Sequence, residues 1–294
     1  MDIGRVGIWT FALDRLPCGM AQEAVAEIEK LGYGALWVPE AVGKDPLVHA
    51  ALLLSATERL VVATGIASIY ARDAMAMKAG QQTLTDAFPG RFVLGLGVSH
   101  APMVEGMRGH TYAKPVPAMR AYLDAMDAAL YMGPAPSSAP QTVLGALGPR
   151  MLALAAERTQ GAHPYNVTVE HTAQARSILG KGKLLAPEVA VVLEADAVAA
   201  RAAGRAHLGP YLNLPNYVNN LRRLGFTEED LAGNGSDRLV DALVLWGKAD
   251  QIAARVREHL DAGADHVALQ VLVPRDRREP PLAEWRELAG VLLG

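Results

Sequence analysis

Three places in this sequence bring together residue types that do chemistry. The first is RFVLGLGVSH (91–100), where Gly95 and Gly97 stand one residue apart in an apolar run that stops on Val98, Ser99 and His100. Such a pair either opens a phosphate-binding loop or makes room inside a buried strand. The dinucleotide fingerprint needs a third glycine and an immediate helix. Here His100 takes the third position and an irregular stretch follows, so the phosphate-loop reading fails. Glycine inside a strand relieves crowding or admits a close neighbour. Gly95 fits the first use, and Gly97 leaves both open, a ligand being one such neighbour. His100 carries a group that gives or takes a proton near neutral pH, or else serves as a neutral hydrogen-bonding partner.

The other two places are the PE pair ending YGALWVPE (33–40), which offers Glu40, and LGPRM (147–151), where a proline opens a helix pattern beside Arg150. Several further chemistries have no support. No H-x-H stands on the first apolar run, and the remaining histidines have no ligand-like spacing, so no metal site is expected. No lysine lies inside a strand candidate to form a Schiff base, and no G-x-S-x-G elbow is present. Cys18, the single cysteine, has nothing nearby to activate it and excludes an internal disulfide framework. What is left is redox chemistry carried by a cofactor.

The elements that position these residues alternate regularly. Strand-like runs at 5–10, 33–40, 60–68, 91–98, 141–147, 162–167, 187–195 and 265–272 are each followed by helix-like segments. Their near-continuous apolar character suits parallel strands buried on both faces. Eight such units are the count of an α/β (β/α)8 TIM barrel, here a single domain over 1–294. Two excess segments, 99–116 and about 205–240, are expected as insertions after strands four and seven, emerging at the C-terminal mouth. The region 196–262 is read as largely helical. Asp73 is expected to cap the helix running towards Phe88.

Hydrophobic residues make up 51% of the 294 residues and charged ones 20%, which supports a sizeable core. The net charge of -3 carries no basic stripe for nucleic acid. No apolar stretch is long enough for a membrane span and no signal-peptide pattern opens the chain, so a cytoplasmic protein is expected. In a barrel, residues at the C-terminal strand ends carry function. These are Trp9, Thr10, Pro39, Glu40, Gly65 to Ser68, Ser99, His100, Leu147, Gly148, His163 to Asn166, Glu194 and Gln270. A lining of polar and aromatic groups with few charges suits an extended aromatic cofactor.

WVPEAVG, VVATGIASIYARD, AFPGRFVLGLGVSHAP and LGALGPRMLALAAERTQGAHPYNV together resemble the luciferase-like monooxygenase superfamily, and above all its deazaflavin-dependent branch, which uses coenzyme F420. The resemblance runs from Arg5 to about Leu272. It implies the barrel fold, a homodimer, and cofactor and substrate at the C-terminal mouth. It also implies a non-proline cis peptide at Gly65–Ile66, behind the deazaflavin ring. Glu40 and Ala41 match positions where relatives place an acid and a histidine. Ala41 departs from that pattern, so any proton transfer by such a histidine is absent or supplied elsewhere. His100 falls where some relatives have a catalytic glutamate.

The cofactor-binding set that follows comprises Glu40, Gly65, Ile66, Ala67, Ser68, Gly97, Val98, Ser99, His100 and the stretch Leu147, Gly148, Pro149, Arg150 and Met151. In that last stretch, free N–H groups and the helix dipole would hold the cofactor phosphate with Arg150. Glu40 and His100 are the catalytic candidates, and Trp9, Phe11 and Tyr70 the substrate pocket. The activity implied is hydride transfer between F420 and a small organic substrate, uncharged or aromatic. The alternatives are an FMN-dependent monooxygenase and a barrel that binds flavin without turnover. LPNYVNNLRRLGF (214–226) reads equally as a lid helix or a surface insertion.

Overall fold

A computed structural model of the chain describes residues 2–274 and 277–294. Its strands are β1 (Val6–Trp9), β2 (Ala35–Val38), β3 (Val61–Thr64), β4 (Ala67–Ser68), β5 (Phe92–Gly97) and β6 (Gln141–Leu144). They continue with β7 (Gly161–Ala162), β8 (Leu184–Leu185), β9 (Glu188–Val192), β10 (Val244–Trp246) and β11 (Val267–Val271). Every pairing is parallel, in the order β10-β9-β11-β1-β2-β3-β5-β6-β7-β8, with β4 beside β5. β8 and β9 are two pieces of one stave, since Ala186 N donates to Ala162 O at 3.0 Å and Glu188 N to Pro164 O at 2.8 Å. That stave joins β7 on one side to β11 on the other, so the sheet curls round into the expected (β/α)8 barrel. β4 continues the third stave after a bulge, and β10 is an addition beside the upper part of β9.

The eight staves correspond to the eight apolar runs of the sequence, with shorter hydrogen-bonded lengths. The sixth shrinks to Gly161–Ala162, because Pro164 has no N–H to continue a ladder. The stretch 196–262 is not wholly helical. It contains β10, whose VLW run the helical periodicity on either side conceals. Asp73 caps the helix Ala74–Ala87 as expected, its carboxylate accepting from Ala76 N at 2.9 Å. Asp45 does the same for Pro46–Leu54.

Two cores separate by face. Ile8, Leu36, Val62, Leu94, Leu144, Val191 and Leu269 point outward against the helices. The barrel interior holds Ile3, Trp9, Trp37, Val61, Ala63, Val93, Val143, Ala186 and Ala268. This alternation within each strand is the period of two that a doubly buried sheet requires.

Aromatic rings fill the interior where branched aliphatics usually do. Trp37 is fully buried and stacks on His163 at 4.1 Å with planes 5° apart. Trp37 Nε1 donates to His266 Nε2 at 3.1 Å, and His266 Nδ1 donates to Gly4 O at 2.8 Å. Both tautomers are therefore set by carbonyls, as His163 Nδ1 donates to Ala186 O at 2.6 Å. Burial pushes His163 down to about 3 and His266 to about 4, so neither is charged at neutral pH.

Gly95 is required by the backbone. A Cβ there would stand 2.0 Å from the Thr64 carbonyl oxygen, and the Thr64 side chain is itself bonded to both Gly95 N and O at 2.8 Å. Gly95→Ala is expected to lower stability by roughly 3 kcal/mol, the upper range of overpacking costs, as measured by urea denaturation. A change within experimental error would refute this account of the glycine.

Candidate active site

A cavity of about 690 Å3 opens at the C-terminal ends of the staves, well within the size range of small-molecule sites. Its floor is built at the end of the third stave. The chain bulges between β3 and β4, and the Gly65–Ile66 peptide is cis, as the family resemblance implied. Gly65 N donates to Val38 O at 2.7 Å, and Trp9 Nε1 donates to Gly65 O at 3.0 Å. A Cβ on Gly65 would meet Trp9 Nε1 at 2.5 Å and His163 Nε2 at 3.1 Å, so only glycine fits between the two rings.

The Ile66 side chain then lies across the neighbouring staves. A Cβ on Gly97 would be 2.4 Å from Ile66 Cδ1, and one on Gly145 3.3 Å from Ile66 Cγ2. The close neighbour at Gly97 is thus the bulge itself, and Ile66, Gly97 and Gly145 together give the cavity a smooth apolar floor.

Glu40 fastens this bulge. Its backbone N donates to Ile66 O at 3.2 Å, and its Oε2 accepts from Ser68 N at 2.7 Å. Arg72 grips the carboxylate bidentately at 3.0 and 2.9 Å, and Arg108 Nη2 lies 3.5 Å away. Both carboxylate oxygens are engaged. Glu40 thus lines the cavity with its carboxylate bonded to the bulge and to Arg72.

The structure brings most of the expected site residues together. Trp9, Phe11, Glu40, Gly65, Ile66, Gly97, Val98, Ser99, His100 and the stretch Leu147 to Met151 all line the one cavity. Ala67, Ser68 and Tyr70 do not. Ala67 and Ser68 resume pairing with Leu96 and Gly97 and are buried behind the floor. Tyr70 stands behind Tyr112 at 5.9 Å, and its hydroxyl oxygen accepts from Ala113 N at 3.0 Å.

Both excess segments reach the cavity. The first, with a π-helical turn at Pro102–Met107, contributes Met103 and Tyr112. The second supplies Tyr211 and, from the helix Pro215–Arg223, Asn216, Tyr217, Asn219 and Arg223. The segment 214–226, read equally as lid or surface insertion, is a wall of the site. No sequence signal separated those readings. The alternation of Asn, Tyr and Arg along one helical face is legible only once that face is known.

His100 is partly buried, and burial lowers its imidazole below the usual range, partly opposed by a hydrogen bond with the Asn216 side chain. It is a neutral base at neutral pH. At the other rim, the helix Pro149–Arg158 begins at Gly148 with no side-chain cap and no acid in its first turn. Arg150 and Arg223 both line this corner, and Arg223 reaches to within 3.5 Å of a Cβ position on Gly148. Among the described residues Arg223 bonds the neutral Asn220 Oδ1, at 3.2 Å. The corner is a cationic end to an otherwise apolar cavity. Among the described residues no group of three or more histidine, cysteine or acidic side chains could hold a metal, and no helix is long and apolar enough to cross a membrane.

The profile of the luciferase-like monooxygenase family matches residues 14–266. The chain belongs to the luciferase-like monooxygenase family. A Mycobacterium tuberculosis protein named as a putative coenzyme F420-dependent oxidoreductase, Rv3520c, is 35% identical over 102 residues, which is 35% of this chain and only 29% of that protein. The uncharacterized Rv1360 of the same organism is 25% identical over 84% of this chain and 88% of its own.

Among solved structures, an F420-dependent secondary alcohol dehydrogenase with an F420–acetone adduct superposes with a TM-score of 0.74 at 14% identity, over 98% of this chain and 97% of that one. The F420-dependent tetrahydromethanopterin reductase of Methanopyrus kandleri gives 0.76 at 16%, over 99% and 98%. The FMN-bound oxygenating constituent of a Pseudomonas putida diketocamphane monooxygenase gives 0.69 at 14%, over 97% and 95%. These proteins share the fold of this chain, with either deazaflavin or flavin named for them.

Glu188 was not singled out in the sequence, although an acid inside the apolar run PEVAVV is a signal. It opens β9, is fully buried, and accepts from Asn166 N at 3.0 Å through Oε2, while Oε1 has no partner among the described residues. Burial raises its pKa to about 8. The folded chain therefore holds a proton that the unfolded chain releases above about pH 4.5. Stability on this account falls as pH rises from about 4.5 to about 8. Glu188→Gln should be more stable than the parent at pH 8 and match it near pH 4, as read from thermal melts across that range. Parallel curves for the two proteins would remove Glu188 from this role.

Proposed function

We propose that this luciferase-like protein is an oxidoreductase that uses coenzyme F420 and acts on a small organic substrate bound in the same cavity. The observation that carries the reading is the pairing of a flat apolar floor (Ile66 on Gly97 and Gly145) with a cationic corner (uncapped Gly148, Arg150 and Arg223) in one cavity. A tricyclic ring with a phosphate-bearing side chain has that same division. The residues present fit such a group: the glycines leave the floor smooth, and the helix start offers N–H donors and positive potential to the phosphate. When bound, a deazaflavin supplies hydride exchange with the substrate carbon.

The chain's own part is to orient and to manage a proton. Ile66 backs the ring, Trp9 and Glu40 hold Ile66 in place, and Arg150 with Arg223 sets how deep the phosphate end sits. His100, neutral and facing the cavity, takes the proton of an alcohol substrate, and in the reverse direction its protonated form gives that proton to the oxygen of a carbonyl one. Glu40, fully engaged, takes no part in that transfer.

FMN is the second reading, favoured by the FMN-bound structural neighbour. Titration of the purified protein followed by cofactor fluorescence separates them. Micromolar F420 binding without FMN binding is expected, and Arg150→Ala with Arg223→Ala should weaken F420 at least tenfold. Tight FMN binding alone defeats the deazaflavin reading.

His100→Ala should cut turnover at least tenfold while leaving F420 affinity within about twofold. In the alcohol-oxidising direction the parent rate should rise with pH through a pKa below the ordinary histidine value, because the neutral imidazole is the active form. An unchanged rate or an unchanged acid limb in the variant would leave His100 a holding residue.

A further inference from the structure

Six rings form an unbroken arc around one side of the cavity. Phe11 meets Trp9 edge-on with centroids 4.9 Å apart, Trp9 meets Tyr165 at 5.1 Å, and Tyr165 meets Tyr211 at 5.3 Å. Tyr211 meets Tyr217 at 5.2 Å, and Tyr217 meets His100 at 5.6 Å. All six line the cavity. They arrive from the end of β1, the chain after β7, the excursion after β9 and the chain after β5, so four separate parts of the sequence converge on one wall. The charges of the cavity are not part of the arc: Glu40 is neutralised by Arg72, and Arg150 and Arg223 stand at the Gly148 corner, Arg223 on the same helix as Tyr217.

The hydroxyls within the arc have a direction. Tyr165 Oη donates to Gln270 Oε1 at 2.7 Å and lies 2.9 Å from Tyr211 Oη. A phenol has one proton, so with it given to Gln270, Tyr165 must accept from Tyr211. Tyr211 in turn keeps lone pairs and no free proton. The wall thus offers π faces and edges, the Tyr211 oxygen as an acceptor, the Tyr217 hydroxyl, and the imidazole of His100 at its end.

We propose that this arc is the substrate half of the cavity and selects a flat, uncharged aromatic compound carrying a hydroxyl group. Rings at 5–6 Å spacing present both edges and faces to an inserted ring, a contact that a saturated skeleton of equal size does not make. An anionic substrate would leave water to meet no cation along the arc. A hydroxyl donating to Tyr211 satisfies the one acceptor that the tyrosine pair leaves open. The proposal rests on the cavity holding cofactor and substrate together.

Three matched probes test it: 2-naphthol, its saturated counterpart 2-decalol, and the charged 2-naphthoate. Binding to the full-length protein is measured by calorimetry, alone and in the presence of saturating F420, with F420 affinity titrated separately. The naphthol should bind at least tenfold tighter than either of the others. Tyr217→Leu should remove most of that preference, Tyr217→Phe should retain it, and Tyr211→Phe should weaken naphthol and decalol alike, about fivefold, leaving the preference between them.

Thermal melts confirm that each variant is folded, and the Phe variants preserve packing if the Leu variant does not fold. Equal or tighter binding of decalol or naphthoate overturns the proposal, as does no binding of any probe at millimolar concentration or a naphthol preference that survives Tyr217→Leu. If F420 fails to bind while the naphthol preference and its loss in Tyr217→Leu hold, the cofactor reading falls and the arc stands. Tight F420 binding without the aromatic preference overturns the arc and leaves the cofactor reading in place.

Discussion

The seat of Ile66 is the contact on which the site depends. A bulge at the end of the third stave throws this side chain over strands four and five of the barrel, and those strands can receive it only because Gly97 and Gly145 have no side chains. Everything adjoining the bulge then serves to keep it there. Trp9 bonds the Gly65 carbonyl, Glu40 bonds both sides of the bulge, and Arg72 holds Glu40. The result is a rigid apolar surface facing the cavity in a region where a barrel normally offers loops. Preorganisation of this kind lets a bound ring be held without ordering the protein afterwards.

Charge is arranged around that floor with equal economy. The one acid in the cavity is paired, and the histidines beneath it are kept neutral by burial with their tautomers set by backbone carbonyls. Unpaired positive charge is confined to the corner formed by Gly148, Arg150 and Arg223. An apolar interior strengthens each remaining electrostatic contact, so two cations at one corner are enough to orient a ligand that carries an anionic group. Glu188 departs from this pattern, a carboxyl held in its neutral form within the barrel with one oxygen unpartnered.

Much of this was legible in the sequence because parallel barrel strands announce themselves as apolar runs and because site residues follow them directly. Trp9, Glu40, Gly65, His100 and Leu147 to Met151 sit at strand ends, and local spacing suffices to find them. Tyr70 misled because it follows the third strand by only a few residues, yet the intervening β4 turns it behind the wall. Glu40 stands where expected, but its partners Arg72 and Arg108 were not legible, since they come from later, separate segments of the chain. β10 was hidden because so short a strand cannot show a period.

Taken alone, the sequence determined the barrel and the strand-end residues, which follow from local pattern, while the feature at Gly65–Ile66 came from the family resemblance. Only the tertiary structure decided what occupies the space above Gly97, which acids are free, and that Phe11, Trp9, Tyr165, Tyr211, Tyr217 and His100 form one wall. The physical reason is the same in each case. These are contacts between side chains far apart in the chain, and no periodicity along it records which of them the closing of the barrel will bring face to face.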